Sequence, residues 1–179
     1  MSELNKKELH KKILNELSSS DSKTILKSIQ SLREEGIASD IPILLDVVIE
    51  KKDPSISKAV WNLLIDVKEE KAGEIIIEAI ENERYASLRK ELVAVCWESR
   101  LNFSQHLDVF VEILIQENFE TAFEAFTVIE NMTGIISDEK KEEIAKKLKE
   151  AIANASQERK GFLHEAIHLV NAITDEEKY

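Results

Sequence analysis

The chain has 179 residues, and its 24 Lys and Arg against 35 Asp and Glu leave a formal charge of −11. That balance disfavours nucleic acid and anionic membrane as partners, since both are held by basic surface. Four Gly and two Pro point away from a turn-rich all-β fold, and a single Cys excludes a disulfide-stapled secreted one. The 43% hydrophobic and 33% charged content predicts a folded chain. Met1 to His10 lacks the apolar core of a secretory signal, and no run reaches the roughly 18 apolar residues of a membrane span. A cytoplasmic protein is expected.

In chain order, apolar spacing and caps predict helices over 3–17, 21–35, 40–51, 54–67, 70–81, 84–100, 104–116, 119–132, 138–154 and 157–173. Asp53-Pro54 reads as an N-cap with Pro at the first helical position, and Asp40 before Pro42 reads similarly. Gly36 and Gly134 are placed as left-handed helix ends, and Ser137-Asp138-Glu139 opens the next helix with acid at its positive pole.

The register repeats. Apolar triplets at i, i+4 and i+7 occur at Ile25/Ile29/Leu32, Ile56/Val60/Leu63, Leu88/Leu92/Val95, Ala122/Phe126/Ile129 and Leu163/Ile167/Val170. Ahead of the first four, at the same offsets, stand Ile13/Leu14/Leu17, Leu44/Leu45/Val48, Ile76/Ile77/Ile80 and Phe110/Val111/Leu114. All twelve positions are apolar, as pairs of helices joined by short turns at constant phase would require. The fifth unit keeps Leu148 and Ile152 with about three residues more. About five antiparallel helix pairs are predicted, each burying its stripe against its neighbours.

Asp53-Pro-Ser-Ile-Ser-Lys-Ala-Val-Trp-Asn-Leu-Leu64 resembles the second helix of a HEAT repeat, and Leu88-Arg89 resembles the aliphatic–Arg pair of that helix. Units spaced by 31, 32, 34 and 41 residues are mostly shorter than the usual length of about 40–47. The resemblance implies an all-α, right-handed α–α superhelix over 1–179. It would comprise an N-terminal unit over 1–35, three central units over 40–132 and a C-terminal unit over 138–173 that continues or caps the array. HEAT-like proteins are mostly non-enzymatic adaptors or scaffolds for proteins and peptides, so this is the function the resemblance implies.

Few residues suggest chemistry. His164-Glu165-Ala166-Ile167-His168 fits H-E-x-x-H, whose histidines can share zinc on a helix. The continuation has Asn171 and Thr174 in place of Gly and His, and Asp175 to Glu177 fall in a short tail, so exposed histidines are expected and no metal. Cys96 has no activating base at local spacing and reads as a buried apolar residue. No Gly-rich phosphate loop exists, and neither enzyme nor cofactor is expected. Asp138 to Glu150 reads as a solvated helix face, with Glu142–Lys146 and Glu143–Lys147 pairs.

One face departs from this pattern. Opposite the stripes of the two central second helices stand Trp61, Ile65, Val93 and Trp97, where the other units carry mainly polar groups. Lys27, Lys58 and Lys90 run alongside. On a concave face, Trp61 and Trp97 would anchor a partner, Ile65 and Val93 would form the floor, and Lys58, Lys90 and Arg89 would select an acidic amphipathic segment. The competing expectation packs these side chains into the seam between units, and the same patch could join two copies of the chain. A HEAT-like DNA glycosylase is the enzymatic alternative, and the acidic charge disfavours it.

Overall fold

A computed structural model describes residues 3–174, which form ten α-helices and no strand. No helix among these residues is long and apolar enough to cross a membrane. Asp175 to Glu177 lie outside the described residues. Two compact units divide the chain, Met1–Ala79 and Ile80–Tyr179.

The first unit contains α1 (Glu3–Glu16), α2 (Ser22–Glu35), α3 (Ile41–Lys51), α4 (Pro54–Ile65) and most of α5 (Lys71–Glu81). Within it, α2 packs on both α1 and α4, and α4 packs on α3. Ile25, Ile29, Leu32, Leu44, Leu45, Val48, Ile56, Val60 and Leu63 are all buried. The periodic apolar positions are therefore its core, as an amphipathic helix hairpin requires.

Polar bonds join positions about one repeat apart. The Ser22 hydroxyl donates to Asp53 Oδ2 at 3.0 Å, the Lys51 ammonium to the Ser19 carbonyl at 2.9 Å, and the Ala38 N–H to Glu69 Oε2 at 2.7 Å. Arg33 pairs with Asp66. Consecutive hairpins in this unit are thus tied through equivalent positions.

Asp53 caps α4 by accepting from the N–H groups of Ser55 and Ile56 at 2.8 and 3.4 Å, with Pro54 beginning the helix. Asp21 caps α2 through the Thr24 N–H and hydroxyl at 3.0 and 2.6 Å. Two expected caps differ. Gly36 ends α2 in an extended conformation, φ −78°, because its N–H is satisfied by the Leu32 carbonyl without a left-handed turn. Asp40 makes no cap bond to α3. Its buried carboxylate instead accepts the Ile37 N–H at 3.0 Å and lies 2.8 Å from His10 Nε2, fixing a 3-10 turn over Ala38–Asp40.

Both capping carboxylates titrate below their ordinary value of 3.8. For Asp21 the Thr24 hydroxyl contributes most, and for Asp53 the Ser55 N–H followed by the Ser22 hydroxyl. A depressed folded-state pKa adds stability above the unfolded value that disappears as pH falls through the folded one. The Asp21→Asn/Asp53→Asn variant keeps acceptors at both caps but cannot titrate. Its melting temperature is expected to fall less than that of the wild type between about pH 4 and pH 2. Superimposable acid limbs in a thermal melt series would refute the assignment.

The second unit holds α6 (Arg89–Glu98), α7 (Leu107–Gln116), α8 (Phe119–Asn131), α9 (Asp138–Asn154) and α10 (Gln157–Ala172). Here α7 pairs with α8 and α9 with α10, while α8 packs on both α6 and α10 and α7 on α9. Asn118, Ser137 and Ser156 cap α8, α9 and α10 through side-chain oxygens. Gly134, at φ 140°, donates its N–H to the Thr174 carbonyl at 2.9 Å, and a Cβ there would lie 2.5 Å from Ser104 Oγ. Only glycine fits.

The helix expected over 84–100 is shorter. Glu83–Leu88 forms a 3-10 turn and the α-helix starts at Arg89, so Leu88 precedes the helix and is only partly buried. Arg159 reaches from α10 to donate to the carbonyls of Ile115 and Glu117, satisfying groups that the end of α7 leaves open.

Candidate protein-docking surface

The residues expected to hold a partner occupy different environments. In the first unit Lys58 is exposed, while Trp61 and Ile65 are partly buried. In the second unit Val93 is fully buried, at 0% exposure, and cannot floor an open patch. The reason is that Leu92, Val93, Val95 and Cys96 are all buried, so the apolar face of α6 is wider than one stripe.

The basic selectors of that unit are occupied. Arg89 donates to the Ile80 carbonyl at 2.9 Å, to Glu117 Oε1 at 2.5 Å and to Glu83 Oε1 at 3.1 Å. Lys90 pairs with Glu120 at 2.6 Å, which raises the ammonium pKa and lowers that of the carboxyl. Trp97 is 39% exposed, but its indole N–H donates to Glu124 Oε2 at 2.9 Å. An acidic ligand would have to displace carboxylates already in place.

The other candidate groups are equally specific in their settings. Cys96 is buried, burial pushes its thiol far above the ordinary range, and its S–H donates to the Leu92 carbonyl at 3.3 Å. A neutral thiol of this kind is a poor nucleophile. His164 and His168 are exposed on α10. In the first unit a cleft of about 450 Å³ is floored by Leu32, Ile41, Leu44 and Leu64. Its acids Asp40, Asp66 and Glu69 all bond to the chain itself.

Another exposed apolar feature of the second unit lies on α8 and α10. Four of the six phenylalanines of the chain gather on α8 and α10. Phe162 receives Phe119, Phe123 and Phe126 edge to face, with ring centroids 5.4, 6.0 and 5.3 Å away. Phe119 and Phe123 are 6.5 Å apart and nearly parallel. Such edge-on contacts orient rings without burying them. Phe119 remains 54% and Phe123 48% exposed.

Beside the rings a shallow groove of about 270 Å³ is lined by Phe126, Glu158, Gly161, Phe162 and Glu165. Contiguous large apolar groups left exposed to water are typical of interaction surfaces. Phe119, Phe123 and Phe126 stand at i, i+4 and i+7, which is a helical stripe legible in the sequence. Phe126 belongs also to the core triplet, and that double membership hides the second stripe. Compared with protein-family models, with curated proteins and with solved structures, the chain matches none.

Proposed function

We propose that this chain is a non-enzymatic adaptor or scaffold that binds a protein or peptide, with helix hairpins packed within each unit as in HEAT-like repeats. The observation that carries the reading is the aromatic cluster of α8 and α10, whose outer rings are about half exposed although the surrounding helices are capped and packed. Buried aromatic anchors commonly supply most of the binding energy of an interface. The pairing of consecutive hairpins through residues about one repeat apart supports the repeat reading. In the second unit, Lys140 bonds Asp108 at 2.8 Å across such a spacing, as Lys90 does Glu120.

The test is affinity capture with the wild type, with Phe119→Ser/Phe123→Ser and with Trp61→Ala. The two anchors together are expected to contribute roughly 2 kcal/mol, so the double variant loses retained proteins about 30-fold. Its melting temperature should shift by only a few degrees, because both rings are at the surface. Trp61→Ala retains the partner. Undiminished capture by the double variant, with loss on Trp61→Ala, would move the surface to the first unit.

A further inference from the structure

We infer that the occupant of the aromatic cluster is a basic amphipathic helix from another protein, an inference that rests on the docking role just proposed. Glu158 and Glu165 stand four residues before and three after Phe162, which places all three on one face of α10. Both carboxylates line the groove with Phe126 and Phe162. Neither has an ion-pair partner among the described residues.

The cations nearest in sequence are directed elsewhere. Arg159 is bonded to the carbonyls of Ile115 and Glu117, and Lys160 lies about 200° round the helix from Phe162. On the α8 side Glu120 and Glu124 follow Phe119 and Phe123, and the groups that meet them, Lys90 and Trp97, come from α6. The groove thus offers apolar rings with uncompensated negative charge at its edge. A chain of charge −11 would also repel a second copy of itself, whereas lysines or arginines flanking an apolar stripe would be attracted.

Gly161 gives a separate indication. It lies inside α10, where glycine is unfavourable relative to alanine. A Cβ placed on it would meet nothing within 4 Å. Packing within the chain therefore does not require glycine at this position. A helix lying across the groove would be met by any larger side chain there, beside Phe126 and Phe162.

The probes are amphipathic helical peptides of about 18 residues, long enough to hold a helix, with one apolar leucine face and a polar face of lysine, glutamine or glutamate. Binding to the full chain is followed by fluorescence anisotropy. The leucine–lysine peptide is expected to bind, and the leucine–glutamate peptide to show no saturable binding. Glu158→Gln/Glu165→Gln should weaken the lysine peptide at least tenfold, and so should Phe119→Ser/Phe123→Ser. Removing the same charge at the exposed pair Glu74→Gln/Glu78→Gln should change it less than twofold. Gly161→Leu should raise the melting temperature while weakening the peptide at least tenfold, a combination that a purely structural glycine would not give.

Equal losses from the two glutamate pairs would reduce the attraction to net charge and overturn the proposal. Phenylalanine-dependent binding of the glutamate or glutamine peptide in preference to lysine would overturn the basic partner and leave the docking surface standing. A phenylalanine-dependent dimer that excludes the peptides would place a second copy on the cluster and would also overturn it. If no peptide binds in a phenylalanine-dependent way and the chain stays monomeric, both the partner class and the docking role fail.

Discussion

Phe110→Ala is expected to destabilise the protein by about 3–5 kcal/mol, a typical cost for emptying a large, closed aromatic site. Phe110 is completely buried in α7, and its ring meets Phe103 edge to face at 6.1 Å with an 86° interplanar angle. It also occupies the first of the three repeated apolar positions of its hairpin, beside Val111 and Leu114, both buried. Removing it leaves a cavity that the neighbouring buried residues cannot close without moving backbone. In a chain of this size the loss corresponds to a fall of about 6–20 °C in melting temperature by calorimetry. A change below about 1 kcal/mol would mean that the ring is not a core element and that the register has been misassigned.

Val93→Asp should have an effect of similar size, and Trp97→Ala should not. Val93 has 0% exposure, so a carboxylate there would be buried without a cationic partner, at a cost of about 3–5 kcal/mol. Trp97 is 39% exposed with a single surface hydrogen bond to Glu124, and its truncation is expected to cost about 1 kcal/mol. Denaturant melts of the two variants check the contrast. If Trp97→Ala were the more damaging, the outward face of α6 would be the one that packs.

The ten helices were legible because two kinds of signal agree along the chain. Apolar positions recur at helical spacing, and Asp21, Asp53, Asn118, Ser137 and Ser156 supply caps at five helix starts. Local misreadings occur where a tertiary bond overrides the local preference. Asp40 resembles a cap, but its carboxylate is drawn to the Ile37 N–H and to His10, thirty residues away. Lys52, at φ 50°, takes the left-handed helix end that composition assigns to glycine.

The candidate docking surface was harder to read. Helical-wheel positions identify which residues leave the main stripe, yet burial depends on how many neighbours flank a helix, and α6 buries Val93 as well as its stripe. Single residue types also hide their partners: Lys90 and Arg89 look like free selectors until Glu120 and Glu117, about one repeat later, are placed against them. The aromatic cluster joins Phe119, Phe123 and Phe126 to Phe162 across two helices. Nothing in a single-helix pattern brings α10 to α8, although three phenylalanines at i, i+4 and i+7 could have marked the α8 half.

The most direct test is a two-dimensional NMR titration of the full chain with the leucine–lysine peptide, following backbone amides and aromatic side chains. The expected result is a saturable set of shifts over residues 119–130 and 157–168, with the rings of Phe119, Phe123, Phe126 and Phe162 moving most. Shifts centred on Lys58, Trp61 and Ile65, or spread evenly over the acidic surface, would contradict a docking site built from these four rings.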